Sequence, residues 1–193
     1  MSVRKSYIHE PGFWFITITC SDFLPLIEIV NGYDLVYNWF DHLRLQGQDI
    51  AGYVIMPNHL HLIMAYRVGN HSLNTIVANG KRFMAYEIVK RLKTLQKAGI
   101  LQKLEGLRTT SEIAAKKQHR VFEISFDAQK CFSNKFLNQK LTYIHNNPCN
   151  KKWMLAPDTL SYPHSSAYFY ETGKQGIYEI KNVLELEGNS WII

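Results

Sequence analysis

The chain has 193 residues and a mass of 22.5 kDa, which is the size of one globular domain. Hydrophobic residues make up 46% of it and charged residues 20%, a balance that excludes a mostly disordered chain. The formal net charge is +6. No apolar run approaches the ~20 residues that span a bilayer, so no membrane partner is expected.

The N-terminus and the cysteines bear on the cellular compartment. Residues 1–15 contain no apolar stretch followed by a small-residue cleavage site, so a secretory signal is not expected. The three cysteines, Cys20, Cys131 and Cys149, are odd in number and far apart. This spacing argues against a disulfide framework and against a CxxC zinc site. We therefore expect reduced thiols in a cytoplasmic protein.

The first half of the chain predicts three strands and one helix. Residues 13–20 are aromatic and β-branched and predict a strand. Residues 33–46 carry apolar side chains at helical spacing. Residues 50–56 and 59–66 predict two further strands, and the short link between them makes these strands antiparallel neighbours.

A long helix and a basic connection follow. Residues 72–97 predict an amphipathic helix that Gly80 interrupts. Its apolar side chains are Leu73, Ile76, Val77, Phe83, Ile88 and Leu92. Residues 99–118 are mixed and basic and predict a mobile connection. Residues 120–126 predict a fourth strand or an extended segment.

The last predicted helix covers residues 134–146. Ser133 is a suitable N-cap, and Pro148 is expected to end the helix because the residue before a proline is disfavoured in the α conformation. From about residue 149 the chain is expected to form an irregular wrap that ends in a short helix near 178–186.

This order of elements indicates the fold class. The predicted elements indicate an α+β domain with a mostly antiparallel sheet, because their order is strand, helix, strand, strand, helix, strand and helix. The expected arrangement is ferredoxin-like, with the helices packed on one face of the sheet. Nothing in the sequence indicates a second domain, so residues 1–193 are predicted to form one.

The positive charge is concentrated in one segment. Residues 81–120 hold 11 basic and three acidic residues, which gives this segment a net charge of +8 in a chain of +6. A local basic excess indicates a polyanionic partner, and nucleic acid before membrane. A solvated, charged helix face explains the same run equally simply.

A histidine pair stands within the third predicted strand. His59 and His61 alternate with Leu60, so on a strand both imidazoles project to the same face. Two neighbouring imidazoles are costly to bury unless each has a partner, and a shared divalent metal ion serves both. Two ordinary hydrogen-bonded histidines at a strand start remain the alternative.

Several known chemistries use such a pair and do not fit here. Histidine-triad nucleotide hydrolases need a third histidine where Ile63 stands, and two-histidine phosphoesterases need a serine or threonine in place of His61. A zincin needs H-E-x-x-H, which is absent. What remains is a two-histidine metal site that takes another ligand from elsewhere in the chain.

A tyrosine in the last predicted helix offers a nucleophile. Tyr143 and Asn147 are four residues apart, so they share a face if the helix reaches that far. A tyrosine hydroxyl can attack phosphorus when it is deprotonated and a metal polarises the phosphate. Asn147 could offer a carbonyl oxygen to that metal. A core tyrosine followed by a simple helix stop is the alternative.

Together the histidine and tyrosine motifs resemble those of a known protein family. The chain resembles the single-tyrosine HUH transposases, and most closely the REP-associated tyrosine transposases of bacteria. The similarity runs from about residue 12 to about residue 180. Its most specific stretches are GYVIMPNHLHLI at 52–63 and FLNQKLTYIHNNP at 136–148, with a weaker match in YPHSSA at 162–167.

The resemblance implies a fold and a set of site residues. His59 and His61 correspond to the metal-binding HUH pair, Tyr143 to the nucleophile, and Asn147 to a third polar metal ligand. The implied fold is a ferredoxin-like sheet with the tyrosine on a late helix. Members of the family cut and rejoin single-stranded DNA beside short hairpins, with Mg²⁺ or Mn²⁺, through a 5′-phosphotyrosine link.

The chain also departs from its relatives. Relatives often carry Trp-Gln where this chain has Phe122-Glu123, and Val-Lys where it has Cys149-Asn150. Residues 99–118 do not align with them. These departures leave the histidines and the tyrosine in place and bear on the preference for DNA sequence.

The sequence therefore predicts a metal-dependent transposase that cleaves single-stranded DNA. A non-catalytic protein that binds hairpins or palindromes, domesticated from such a transposase, is the alternative. A metal-dependent phosphodiesterase that uses water in place of Tyr143 is a third candidate.

The resemblance extends to partners. The partners are single-stranded or hairpin DNA and, as in relatives that exchange the tyrosine helix, a second copy of the chain in a homodimer. The location would be the bacterial cytoplasm, with association to the nucleoid through DNA. The residues expected to bind DNA are Lys81, Arg82, Lys90, Arg91 and Lys93.

Overall fold

The computed structural model describes residues 10–187. Residues 1–9 and 188–193, which the single-domain prediction included, lie outside the described residues. The strands are β1 (Gly12–Thr19), β2 (Asp49–Ile55), β3 (His59–Tyr66) and β4 (Asp127–Lys130). The helices, in chain order, are α1 (Leu26–Ile29), α2 (Tyr33–Leu45), α3 (Leu73–Thr94), α4 (Ala98–Gly106), α5 (Thr110–Ala114), α6 (Asn134–Asn146), α7 (Ala167–Thr172) and α8 (Val183–Glu187).

The four strands form one antiparallel sheet in the order β2-β3-β1-β4. β1 pairs with β3 along its whole length, from Gly12 opposite Tyr66 to Thr19 opposite His59. The α+β class and the antiparallel sheet predicted from the sequence are confirmed. β1, α2, β2, β3 and α6 also match their predicted bounds to within one residue. No helix among the described residues is long and apolar enough to cross a membrane.

Alternating side chains of β1 divide the core between the two faces of the sheet. Trp14, Ile16 and Ile18 belong to the larger core, which α2, α3 and α4 cover, and for these three helices the predicted packing on one face is confirmed. Phe13 and Phe15 belong to a second core on the other face. α6, the late helix that carries the predicted nucleophile, packs there.

Gly80 explains how α3 approaches α2. A Cβ atom at this position would lie 2.4 Å from the indole of Trp39 on α2, so only glycine leaves room for the ring. The helix continues through Gly80 without a break, and the predicted interruption is absent. Of the six apolar side chains predicted for the buried face, only Phe83 is exposed.

Gly52 has the same role for α6. A Cβ atom on Gly52 of β2 would lie 2.7 Å from Leu141 Cδ2 and 3.3 Å from Ile144 Cδ1. The absence of a side chain therefore lets α6 pack directly on the sheet. This close packing fixes the part of α6 that holds Tyr143.

The prediction of a mobile connection at 99–118 is wrong. Most of this segment forms α4 and α5, and Leu104 of α4 is completely buried against the larger core. A capping box begins α5: the Thr109 side chain accepts from the Glu112 amide, and the Glu112 carboxylate accepts from the Thr109 amide.

The fourth strand also lies elsewhere than predicted. Residues 120–126 make only an isolated bridge between Phe122 and Cys20, and the strand that pairs with β1 is β4, at 127–130. The side chain of Lys81 explains why residues 123–125 do not continue as a strand. Lys81 Nζ donates to the carbonyls of Glu123, Ile124 and Ser125 at 2.6, 3.2 and 3.3 Å, which takes these backbone groups out of a strand ladder.

The end of α6 differs in detail from the prediction. Pro148 does end the α-helix, but Asn147 before it keeps α-helical dihedral angles, and residues Asn147–Cys149 continue as one 3-10 turn. A proline at the first turn of a helix loses no hydrogen bond there, so the turn tolerates it. The consequence is that Asn147 stays in helical register with Tyr143.

The segment after α6 is irregular, as predicted, and contains α7 and α8. Its middle part covers the free edge of β2. Ile55 N donates to the His164 carbonyl at 2.9 Å, Ser166 N donates to the Tyr53 carbonyl at 3.0 Å, and the Tyr162 hydroxyl donates to the Ile55 carbonyl. These bonds satisfy an edge that would otherwise be open to other chains.

Candidate metal and nucleophile site

His59 and His61 lie side by side on the α6 face of the sheet, as the strand pattern predicts. Their ring centroids are 4.7 Å apart and nearly perpendicular. Both side chains are buried, with 8% and 5% of their surface exposed. Across the β1–β3 ladder they stand opposite Thr19 and Thr17. Two buried imidazoles are therefore in contact, and neither forms an ion pair within the described part of the chain.

Each imidazole is held through its Nδ1 atom. His59 Nδ1 donates to Asn58 Oδ1 at 2.6 Å. Asn58 Nδ2 donates to the Phe23 carbonyl at 2.9 Å, which fixes the direction of the carboxamide and makes His59 Nδ1 the donor. His61 Nδ1 hydrogen-bonds Thr17 Oγ1 at 2.9 Å. Metal-binding histidines are typically oriented in this way by a bond at the other ring nitrogen.

Among residues 10–187, two buried polar atoms at the site have no hydrogen-bond partner. They are His61 Nε2 and Asn147 Oδ1. A buried polar atom without a partner costs free energy, and such atoms are rare in native proteins. Both are atoms that ligate metals. Among the described residues no group of three His, Cys, Asp or Glu side chains could hold an ion, so a carboxamide would have to complete a site here.

Burial keeps both imidazoles neutral. It lowers the pKa of His59 to about 4, an effect to which the charge of Lys152 adds and which the Asn147 carboxamide partly offsets. Burial, the neighbouring His59 and the charge of Lys140 lower the pKa of His61 to about 3. A metal ion binds neutral imidazole, so both side chains could ligate one at neutral pH without losing a proton.

Tyr143 lies beside the histidine pair. Its ring centroid is 5.2 Å from that of His61 and 6.0 Å from that of Phe15, which itself stacks on His61. The Tyr143 side chain is 47% exposed, so one side of it is open to a substrate. Asn147, one helical turn later, is 4% exposed and lies next to His59. The four residues singled out in the sequence thus come together within one chain.

Two lysines that the sequence reasoning did not single out flank this site. Lys140 Nζ lies 4.4 Å from the centroid of the Phe15 ring and 5.0 Å from that of Phe136. Lys152 Nζ lies 5.4 Å from the centroid of the Trp153 ring, and Trp153 contacts His59. Lys140 is three residues before Tyr143 on the same helix, a spacing that could have identified it. No sequence pattern points to Lys152.

The five predicted DNA-binding residues lie elsewhere. All are on α3, which covers the opposite face of the sheet from the histidines. Lys81 is occupied by three carbonyls, and burial lowers its pKa to about 8. Arg91 forms a two-pronged pair with Asp34, and Lys90 forms an ion pair with Glu87. Within residues 10–187 the other two, Arg82 and Lys93, form no ion pair.

Comparison with solved structures identifies the fold. The chain is similar to a REP-associated tyrosine transposase bound to a REP hairpin, with a TM-score of 0.63 over 95% of this chain and 93% of that one, at 17% identity. A Deinococcus radiodurans R1 protein provisionally named a transposase aligns with a TM-score of 0.43 over 76% of this chain and 97% of that one, at 14% identity. No protein-family model and no curated protein gives a match. The fold is thus the one that the resemblance implied.

Proposed function

We propose that the chain is a metal-dependent transposase that cleaves and rejoins single-stranded DNA near hairpins through a 5′-phosphotyrosine intermediate. The observation that carries the proposal is the contact between the Tyr143 and His61 rings, beside two buried polar atoms that lack partners. A tyrosine nucleophile needs a polarised phosphate next to it. The site supplies a half-exposed phenol and two buried atoms suited to ligate a metal, on the same side of the sheet.

The residues present fit a divalent metal ion. Two neutral imidazoles and one carboxamide oxygen form a mixed nitrogen and oxygen set, which suits Mg²⁺ or Mn²⁺ with water sites left open. His59, His61 and Asn147 would hold the ion. When bound, it supplies Lewis-acid polarisation of a non-bridging oxygen of the scissile phosphate.

Tyr143 makes the new bond in this proposal. Its phenol loses a proton to solvent, the phenolate oxygen attacks the phosphorus, and the bond from phosphorus to the 3′ oxygen of the upstream nucleotide breaks. That 3′ oxygen takes up a proton from water. The products are a free 3′-hydroxyl and a 5′-phosphotyrosine, and attack by another 3′-hydroxyl joins a new strand and releases Tyr143. No ATP is needed because each step exchanges one phosphoester bond for another.

Lys140 is suited to assist the same step. It lies one helical turn before Tyr143 and is held over the Phe15 ring, which also touches Tyr143 and His61. A fixed ammonium group there would bind a phosphate oxygen of the strand being cut and offset its charge. Its half-buried position strengthens this attraction relative to a lysine in free solvent.

Hairpin DNA is proposed as the partner on two grounds. The solved transposase with the same fold is bound to a REP hairpin. The chain itself has an excess of basic residues, and Lys140 and Lys152 lie on both sides of the candidate site. Phosphate contacts of this kind make binding dependent on salt.

The proposal is tested by looking for the covalent intermediate. The protein is incubated with single-stranded hairpin oligonucleotides and Mg²⁺ or Mn²⁺, and the products are separated under denaturing conditions. We expect a protein–DNA adduct that needs both the metal and Tyr143. A hairpin-binding protein without catalytic activity would give binding but neither adduct nor cleavage. A phosphodiesterase that uses water would give cleavage without adduct.

Single variants with a matched control test the proposed roles of Tyr143 and His59 separately. Tyr143→Phe keeps the ring contacts and removes the nucleophile, so it should bind hairpins normally and form no adduct. Tyr86→Phe, at an exposed tyrosine of α3, is the control and should form the adduct normally. His59→Ala should lose cleavage and keep most of its hairpin binding. An adduct with Tyr143→Phe would contradict the assignment.

The homodimer stays a separate prediction. In this structure the Tyr143 ring of α6 contacts the His61 ring of its own chain, which supports a proposed site formed within one chain. Exchange of α6 between two chains would give the same site twice. Size measurement with and without hairpin DNA, followed by mixing Tyr143→Phe with His59→Ala chains, distinguishes the two arrangements. Recovered activity in the mixture would require exchange.

A further inference from the structure

A tight turn holds the Phe23 ring out into solvent close to the candidate site. Asp22 and Phe23 both have positive φ angles, of 54° and 51°. This backbone conformation is uncommon for residues other than glycine, and each such residue costs free energy. Phe23 nevertheless leaves 68% of its surface exposed, so burial of the ring does not compensate the strain.

Polar contacts hold this turn in place. Lys103 Nζ pairs with Asp22 Oδ2 at 2.6 Å, and the Asp22 amide donates to Glu123 Oε1 at 3.1 Å. The Phe23 carbonyl accepts from Asn58, the same carboxamide that orients His59. The position of the exposed ring is therefore tied by two hydrogen bonds to the orientation of a predicted metal ligand.

A cation and a second aromatic ring continue the surface from Phe23 to the histidines. Lys152 Nζ lies 6.0 Å from the centroid of the Phe23 ring and 5.4 Å from that of Trp153. The Trp153 ring centroid is 5.6 Å from that of His59. Phe23, Lys152 and Trp153 thus form a continuous rim on the His59 side of the site, while Lys140 lies on the His61 side.

We propose that this rim is a subsite for one unpaired nucleotide of the DNA strand, next to the phosphate that is cut. The Phe23 ring stacks on the base, and Lys152 binds the adjoining phosphate. An exposed flat ring beside a cation matches the two parts of a nucleotide, and aromatic stacking is the usual way in which proteins hold unpaired bases. The placement next to a phosphate-cleaving site rests on the proposed function, whereas binding of the nucleotide does not require cleavage.

The experiment measures binding of a hairpin with a single-stranded tail, in EDTA, so that metal binding and cleavage do not contribute. Tail bases are removed one at a time by abasic substitution, and each oligonucleotide is titrated with wild type and with Phe23→Ala. With the intact tail we expect Phe23→Ala to weaken binding by about 5- to 150-fold, the range for loss of one stacked base. At one tail position the abasic substitution should weaken binding to the wild-type protein by a similar factor and leave binding to Phe23→Ala unchanged.

Three controls make the result specific. Phe83→Ala removes a ring with 57% exposure that also lies beside a cation, Arg82, but sits on α3 across the sheet, and it should bind the tail as wild type does. Phe23→Trp keeps a stacking ring and should restore binding. Lys152→Gln should reduce the salt dependence of tail binding. Thermal unfolding of each variant checks the fold.

The outcomes separate this inference from the proposed function. If no tail position couples to Phe23, or if Phe83→Ala loses as much affinity as Phe23→Ala, the subsite is wrong even when the Tyr143 adduct forms. If the coupling is found and no adduct forms under any metal condition, the subsite stands and the cleavage proposal fails. A wild-type protein that binds neither hairpin nor tail would overturn both.

Discussion

The ring of Tyr143 lies 5.2 Å from the ring of His61, centroid to centroid, although one residue belongs to a helix and the other to a strand. Gly52 makes this contact possible, because its missing side chain lets α6 pack directly on β2. The proposed nucleophile and the proposed ligand pair are thus positioned by the packing of the core and not by a loop. An arrangement of this kind needs little rearrangement when substrate binds.

The hydrogen bond between Thr17 and His61 should control metal affinity. Thr17→Val keeps the shape of the side chain and removes the oxygen that orients the imidazole. Loss of such a supporting bond typically weakens metal binding about 10- to 100-fold. Mn²⁺ titration followed by electron paramagnetic resonance measures the change at neutral pH.

A threonine far from the site provides the control for that titration. Thr94→Val removes a hydroxyl whose only described bond is to the Lys90 carbonyl at the end of α3, so it should bind Mn²⁺ as wild type does. Asn147→Ala removes the proposed oxygen ligand and should bind more weakly. Equal Mn²⁺ affinity in wild type, Thr17→Val and Asn147→Ala would show that this is not a metal site.

The salt dependence of hairpin binding should identify the face that carries the DNA. Lys140→Ala and Lys152→Ala should each reduce the slope of log K against log salt by about 0.7, the value for one phosphate contact to a single strand. Arg82→Ala with Lys93→Ala removes two cations on the opposite face that form no ion pair among residues 10–187, and this double variant should change the slope less. A larger change of slope for the Arg82 and Lys93 variant than for the Lys140 and Lys152 variants would place the hairpin along α3, as the sequence predicted.

Stability in the absence of metal should fall as the pH drops from about 6.5 to about 4. Burial lowers the pKa of His145 and of His59 to about 4 and the pKa of His61 to about 3. Between these pH values the unfolded chain binds more protons than the folded one, so acid favours unfolding. For His145 alone the loss across this window is on the order of 3 kcal/mol.

His145→Gln isolates that contribution. The imidazole bonds Ser166 Oγ through Nε2 and touches neither Tyr143 nor the histidine pair in any described contact. The free energy of unfolding of metal-free His145→Gln, measured in urea at several pH values, should depend less steeply on pH than that of wild type. The difference in slope should be about 1.4 kcal/mol per pH unit. Parallel profiles for the two proteins would mean that His145 titrates normally in the folded state.

Much of the fold follows from local patterns in the sequence. The apolar run at residues 59–66 predicts β3, the two-residue period of a strand places both histidines on one face, and the Ser133 cap and apolar spacing predict α6. These patterns reflect side-chain periodicity, which a single sequence contains. The fourth strand is different: the contacts of Lys81 with residues 123–125 join segments distant in the chain, and no local pattern reveals them.

In the candidate site, too, some features could be predicted from the sequence, and others depend on long-range packing. His59, His61, Tyr143 and Asn147 could be selected because their motifs resemble those of a known family, whereas the spacing of each motif alone left other interpretations open. Their surroundings could not, since the placement of α3 across the sheet from the site depends on how the helices pack. The basic run therefore predicted DNA contacts on α3, whereas the lysines beside the histidines are Lys140 and Lys152.

The most direct test of the account is to identify the amino acid that becomes linked to DNA. Trypsin is expected to release residues 141–151, a peptide in which Tyr143 is the only tyrosine. After reaction with hairpin DNA and Mg²⁺, and nuclease digestion, mass spectrometry should find this peptide carrying a nucleotide through a 5′-phosphate. DNA cleaved while the peptide stays unmodified, or a nucleotide on another residue, would contradict the account.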